Sequence, residues 1–233
     1  MVGEKDTPQV PRNMTDLPSL IHAPLAGGPP KHLVVLLHGL GAEGADLIDL
    51  APILALSLPD ALFVAPDAPS PCDMAPFGRQ WFSLQSRAPA DMAAAISTAG
   101  PVLQAFLAGL LERHGLPTSA MALVGFSQGA MMALHAGLRM DPPPAALVGF
   151  SGRFVEAAAP ESPPSGRPPV LLVHGDVDDV VPYAEMAAAE AALARRSVPV
   201  EWIARPGLGH AIDPPGLAAA TTFLVRHLTP RSP

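Results

Sequence analysis

Three places in the chain carry residue types that could do covalent chemistry together. The first is Leu123-Val124-Gly125-Phe126-Ser127-Gln128-Gly129, an apolar run ending in Gly-x-Ser-x-Gly and passing directly into Ala130-Met131-Met132-Ala133-Leu134. A serine pinned between two glycines at a strand-to-helix corner is the context in which this pattern exposes a nucleophile. At so sharp a corner Ser127 is expected to take strained backbone angles, and side chains at 125 or 129 would collide with the helix or a neighbouring strand. The second place is His174-Gly175-Asp176-Val177-Asp178-Asp179-Val180-Val181-Pro182, and the third is Gly207-Leu208-Gly209-His210. A serine hydroxyl is a weak nucleophile until a base takes its proton, and that base needs a carboxylate to fix its tautomer and balance its charge. Serine, acid and histidine follow one another in that order. The chemistry they could perform is acyl transfer.

These residues are useful only if the fold brings them together. His32-Leu33-Val34-Val35-Leu36-Leu37-His38 is an unbroken apolar run, the mark of a strand buried on both faces. Further strands read at Ala61 to Ala65, Leu123 to Phe126, Ala145 to Ser151, Val170 to His174 and Val200 to Ala204, with a short edge strand near Leu20 to Ala23. Helices alternate with them, at about Ala45 to Leu56, Asp91 to His114 (with Gly100-Pro101 able to kink or split it), after Gly129, Tyr183 to Arg196 and Pro214 to Leu228. Such alternation predicts an α/β architecture, a mainly parallel sheet with helices on both faces. In an open parallel sheet the loops after the strands share one edge. Ser127, the aspartates and His210 then converge there.

Domain organisation follows from length and composition. The 233 residues suffice for one large domain, expected over 17–233, with residues 1–16 as a flexible arm marked by Pro8 and Pro11. The 30 prolines lie between the apolar runs and predict stiff loops, the longest from Asp67 to Pro89. No insertion large enough for an independent lid is apparent.

The formal net charge of −7, without a basic cluster, argues against nucleic acid and anionic membrane as partners and leaves small neutral substrates open. Ala99 to Leu111, the longest nearly apolar span, is broken by Pro101 and Gln104 and reads as too short for stable membrane insertion. The only cysteine, Cys72, cannot form an intramolecular disulfide and fits a reducing compartment. The start of the chain does not read as a signal peptide, so a cytoplasmic location is expected. Nothing in the sequence reads out an oligomeric state.

The order Ser, Asp, His and the motifs around it resemble the α/β-hydrolase fold. Within it the chain is similar to the small phospholipase/carboxylesterase family, which includes the acyl-protein thioesterases. The resemblance rests on Leu37-His38-Gly39-Leu40-Gly41, Gln80-Trp81-Phe82, Gly125-Phe126-Ser127-Gln128-Gly129, Phe150-Ser151-Gly152, His-Gly-Asp-x-Asp-x-x-Val-Pro at 174–182, and Gly209-His210. Spacing alone leaves Asp179 open as the acid; the resemblance assigns Asp178. Asp176 is expected to bond backbone amides. His210 is the base, while His38 and His174 brace loops and His22, His32, His114, His135 and His227 are surface or satisfied core residues. Elbow geometry makes the main-chain N–H of Gln128 one oxyanion donor. The resemblance makes Leu40 the other and places Trp81 near the site, as a substrate contact or a loop anchor.

The resemblance implies a serine hydrolase of carboxylic esters or thioesters, working through an acyl-enzyme on Ser127 without metal or other cofactor. Its substrates are expected to be esters or thioesters of short-to-medium acyl chains, with acyl-protein thioesterase or lysophospholipase activity as the alternative. Two other readings stand against it. One is a non-catalytic binding protein on the same fold; the other is a metal hydrolase built on His174, Asp176 and Asp178, which would leave the serine elbow unexplained.

Overall fold

The computed structural model describes residues 16–158 and 164–229. The arm expected over 1–16 lies outside them except for Asp16. A seven-stranded sheet organises the rest. From the first half of the chain come the edge strand β1 (Ser19–His22) and the buried strands β2 (His32–Leu37) and β3 (Ala61–Pro66). Within the Asp67 to Pro89 stretch, where a long stiff loop is expected, Ser70–Pro71 (β4) and Arg79–Gln80 (β5) form a small separate hairpin. The remaining sheet strands are β6 (Met121–Phe126), β7 (Ala146–Phe150), β8 (Val170–Gly175) and β9 (Val200–Arg205).

The strands are ordered β1-β3-β2-β6-β7-β8-β9, all parallel except β1, which pairs antiparallel with β3. From β2 the chain moves outward to β3; from β6 it moves the opposite way to β7. The loops after β2 and β6 therefore part to opposite faces, leaving a crevice at the carboxyl ends of these two strands. Leu40 follows β2 and Ser127 follows β6.

Alternation along β2 shows why its run is apolar throughout. Leu33, Val35 and Leu37 enter the core that contains α3 (Pro89–His114), α4 (Gln128–Gly137) and α5 (Ala184–Ala194). Val34 and Leu36 enter the opposite core, under α1 (Gly44–Ile48), α2 (Ala51–Ala55) and α6 (Pro214–Leu228). Both faces of the strand are buried, so neither can be polar.

Two helices differ from expectation. The helix expected over Ala45 to Leu56 is two short ones, α1 and α2, because Pro52 has no N–H with which to continue α1 and instead sits in the first turn of α2. Conversely, α3 runs unbroken through Pro101. The bond that Pro101 cannot donate would have gone to the carbonyl of Ser97, and both residues are exposed, so that carbonyl is open to solvent. At 26 residues α3 is long and apolar enough by composition to cross a bilayer, against the reading from the shorter Ala99 to Leu111 span. In this fold it is a core helix, burying Met92, Ile96, Leu103, Phe106 and Leu107.

Candidate active site

Ser127 is the cap residue of α4, with φ 53° and ψ −116°. A non-glycine residue in this region carries strain of roughly 1–3 kcal/mol, held by its surroundings. Its N–H donates to the Phe150 carbonyl of β7 and its carbonyl accepts from Ala130 and Met131, so the corner is fastened on both sides. The flanking glycines are required sterically: a Cβ at 125 would meet the Gly129 main chain, and one at 129 would meet the Leu37 carbonyl of β2. The whole of α4 is buried, and its N-terminus points its unpaired N–H groups at the corner. Among the described residues, neither the Leu40 nor the Gln128 main-chain N–H donates to a protein acceptor. Both are free to hold a negative oxygen.

Asp178 is set apart from its neighbours by its hydrogen bonds. Asp178 Oδ2 accepts from His210 Nδ1 at 2.8 Å, while Oδ1 accepts from the Val180 and Val181 N–H groups at 2.9 and 2.8 Å. Burial is the largest single influence on this carboxyl and opposes its ionisation. The bonds from His210 and the two amides together outweigh it and hold the group below its ordinary value. Asp178 thus remains an anion aimed at His210. Since a carboxylate only accepts, the bond to Asp178 requires a proton on His210 Nδ1, which leaves Nε2 able to act as an acceptor. Asp179, left open by spacing, does not make this contact.

Asp176 has a different role, accepting from the Gly207 N–H at 2.7 Å and so tying the acid loop to the histidine loop. A Cβ at Gly175 would meet the Leu208 and Gly209 carbonyls, which is how closely these two loops approach. The histidine loop is secured from its far end by Asp213, which caps α6 through the Gly216 N–H and pairs with Arg205 at the end of β9. His174 donates Nε2–H to the Val181 carbonyl at 2.8 Å and lies 3.3 Å from Asp178 Oδ2, bracing the acid loop. His38 does the same for the loop after β2: Nδ1 donates to Gly39 O at 2.7 Å and Nε2 accepts from Ala68 N–H at 2.9 Å. Burial lowers its pKa, in keeping with a neutral structural ring.

The structure assigns work to side chains that the sequence does not mark. Gln128 is fully buried, its Oε1 accepting from Trp81 N–H at 2.9 Å and its Nε2 donating to Phe82 O at 2.7 Å. The residue after the serine therefore also clamps the 67–89 segment. Trp81 is buried, donates Nε1–H to the His38 carbonyl at 2.9 Å and is not part of the cavity wall. Its place is that of a loop anchor. The β4–β5 hairpin straps the loop after β2, since Gly41 N–H donates to Arg79 O and Arg79 N–H to Ala42 O. Glycine is needed at 78, where φ is +74° and a Cβ would strike the Gly41 carbonyl. Departing from the satisfied-core reading, His135 is buried with Nδ1 unpartnered among the described residues.

Ser127, His210, Gly39 and Leu40 line one cavity of about 230 Å³, whose apolar wall includes Leu84, Met92, Met131 and Val181. That is below the roughly 300–1,000 Å³ of pockets for drug-sized ligands and suits a short chain. Phe126 packs against His210, ring centroids 4.8 Å apart, limiting where the imidazole can swing. Ser127 Oγ makes no protein hydrogen bond among the described residues; contacts of this kind often close only around substrate. Among the described residues no group of three or more His, Cys, Asp and Glu is arranged to hold a metal ion. The arrangement can activate a hydroxyl, hold an oxyanion and relay one proton.

The sequence pattern of the phospholipase/carboxylesterase family matches residues 24–228. The Escherichia coli (strain K12) protein named esterase YpfH is 33% identical over 186 residues, 79% of this chain and 78% of that protein. Acyl-protein thioesterase 1 of Mycosarcoma maydis is 30% identical over 190 residues, 73% of this chain and 78% of its own. The solved structure of esterase PE8 superposes with a TM-score of 0.83 at 44% identity, covering 91% of this chain and 99% of that one. Arabidopsis thaliana SOBER1, 24% identical with a TM-score of 0.75 over 85% of this chain and 99% of its own, shares the fold.

Proposed function

The chain belongs to the phospholipase/carboxylesterase family of the α/β-hydrolase fold, and from that membership we propose the residue roles by which it hydrolyses carboxylic esters or thioesters. Ser127 Oγ attacks the acyl carbon while His210 Nε2 takes its proton. The carbonyl oxygen becomes an anion held by the Leu40 and Gln128 N–H groups, with the N-terminus of α4 adding to their field. His210 then returns the proton to the departing alkoxide or thiolate, leaving an acyl-enzyme on Ser127. Water, deprotonated by the same imidazole, releases the acid. Asp178 keeps His210 in the Nδ1–H tautomer and stabilises the imidazolium in each half-reaction.

The observation that carries this reading is the 2.8 Å bond from His210 to an Asp178 carboxylate fixed by two further amides, with His210 and Ser127 lining one cavity. The small cavity favours short-to-medium acyl groups, and the single cysteine fits action in a reducing compartment such as the cytoplasm. The test is labelling with a fluorophosphonate followed by peptide mapping. An adduct on Ser127, absent from Ser127→Ala together with hydrolysis of short esters, is the expected result; an active but unlabelled Ser127 overturns it.

A further inference from the structure

In a chain with 21 acidic and 14 basic Lys and Arg residues, the wall of the cavity beside Ser127 carries cationic and no anionic side chains. Its wall contains Arg87 and Arg153 and no carboxylate. Neither guanidinium takes part in the acyl-transfer machinery described above; Arg87 is exposed to solvent, whereas Arg153 is largely buried and is costly to desolvate unless something accepts from it. Arg87 makes no ion pair among the described residues. Arg153 is three-quarters buried; its Nη2 donates to Glu185 at 2.7 Å and its Nη1 lies 3.8 Å from the Met92 sulfur, a weak acceptor. The remaining N–H groups of Arg153 have no protein acceptor among the described residues.

We propose that the enzyme selects short esters carrying a carboxylate, which Arg87 and Arg153 bind while Ser127 attacks the ester carbon. This rests on the esterase reading and names its substrate class. The charge count decides between anions. The carboxylates of Glu185 and of Asp178, which lies behind His210, offset the two guanidiniums, so the site tolerates a carboxylate monoanion better than a phosphate dianion. Arginine's planar fork suits a carboxylate through paired N–H bonds. Glu185 holds Arg153 against the wall and also tempers its attraction for substrate.

The test compares esters matched in length, by pH-stat near neutral pH. Monoethyl glutarate against ethyl pentanoate puts the carboxylate on the acyl side; 3-butanoyloxypropanoate against propyl butanoate puts it on the alcohol side. In one pair or the other, kcat/KM for the anionic ester is expected to exceed its neutral partner by about tenfold or more, the range of one charge-assisted hydrogen bond. Arg87→Gln and Arg153→Gln bring that ratio toward one, and Glu185→Gln raises it. Added salt lowers the rate on the anionic ester more than on the neutral one. A neutral preference in both pairs, or a ratio that the arginine variants do not move, overturns the proposal. So does inhibition by inorganic phosphate stronger than by pentanoate, a monocarboxylate. Neutral-ester hydrolysis that depends on Ser127 with no anionic preference defeats only this inference, whereas a wild-type enzyme inert on both neutral esters and unlabelled by fluorophosphonate defeats the esterase reading itself.

Discussion

Asp178 holds His210 through one carboxylate oxygen, at 2.8 Å from Nδ1, and spends the other on the N–H groups of Val180 and Val181. The carboxylate cannot rotate without breaking two bonds to its own loop, so the imidazole is oriented by the fold and not by a mobile side chain. Asp178→Asn keeps the shape but presents an amide that can donate to Nδ1, favouring the tautomer in which Nε2 already carries the proton. The expected outcome is a fall in kcat of about 10³–10⁴-fold on a short p-nitrophenyl ester. KM should change far less.

Gln128 offers a separation of main chain from side chain. Its N–H, the proposed oxyanion donor, is kept in an alanine variant, while its side-chain amide clamps Trp81 and Phe82. Gln128→Ala leaves the Trp81 N–H and Phe82 carbonyl buried without partners and is expected to destabilise the fold by about 1–3 kcal/mol, seen as a lower Tm. The kcat of Gln128→Ala should remain well above that of Ser127→Ala.

Stability should fall in mild acid because of His135. Burial, reinforced by the positive charge of Arg139, pushes its pKa down to about 4 in the folded protein. In the unfolded chain the ring titrates near its ordinary value, so between the two pKa values the unfolded state binds the extra proton. The stabilisation is complete above about pH 6.5 and is lost as pH falls toward about 4, amounting to about 3 kcal/mol in all. Urea midpoints across this window check it, and His135→Leu should flatten that part of the profile.

Gly100 faces the same histidine across the α3 and α4 contact. A Cβ there would lie 2.8 Å from both Cδ2 and Nε2 of His135. Helix propensity alone favours Gly100→Ala by about 1 kcal/mol. Because the His135 ring is buried and cannot swing away, the substitution is expected to destabilise instead, and to become stabilising in a His135→Ala background. A double-mutant cycle by urea unfolding reads this coupling.

Much of this was legible in the chain itself. The apolar runs at Leu33 to Leu37 and Leu123 to Phe126 mark strands because burial on both faces excludes polar residues, and the order Ser127, Asp178, His210 follows from loops sharing one sheet edge. Less legible was anything decided by tertiary contact. The two-residue strands β4 and β5 have no periodicity to detect, and they exist because Arg79 bonds the main chain at Gly41 and Ala42. The Gln128 clamp depends on a backbone 46 and 47 residues away. Gly100-Pro101 could kink or split the helix, and only the exposure of Ser97 and Pro101 shows why the missing hydrogen bond costs little.

The most direct measurement is of the intermediate itself. Mixing the enzyme with p-nitrophenyl butanoate, quenching in acid within the first turnovers and mapping peptides by mass spectrometry reports where the acyl group resides. The account predicts a burst of nitrophenolate and a butanoyl group on Ser127, with both lost in Ser127→Ala. Full turnover with no acyl group on Ser127, or unimpaired hydrolysis by Ser127→Ala, would contradict it.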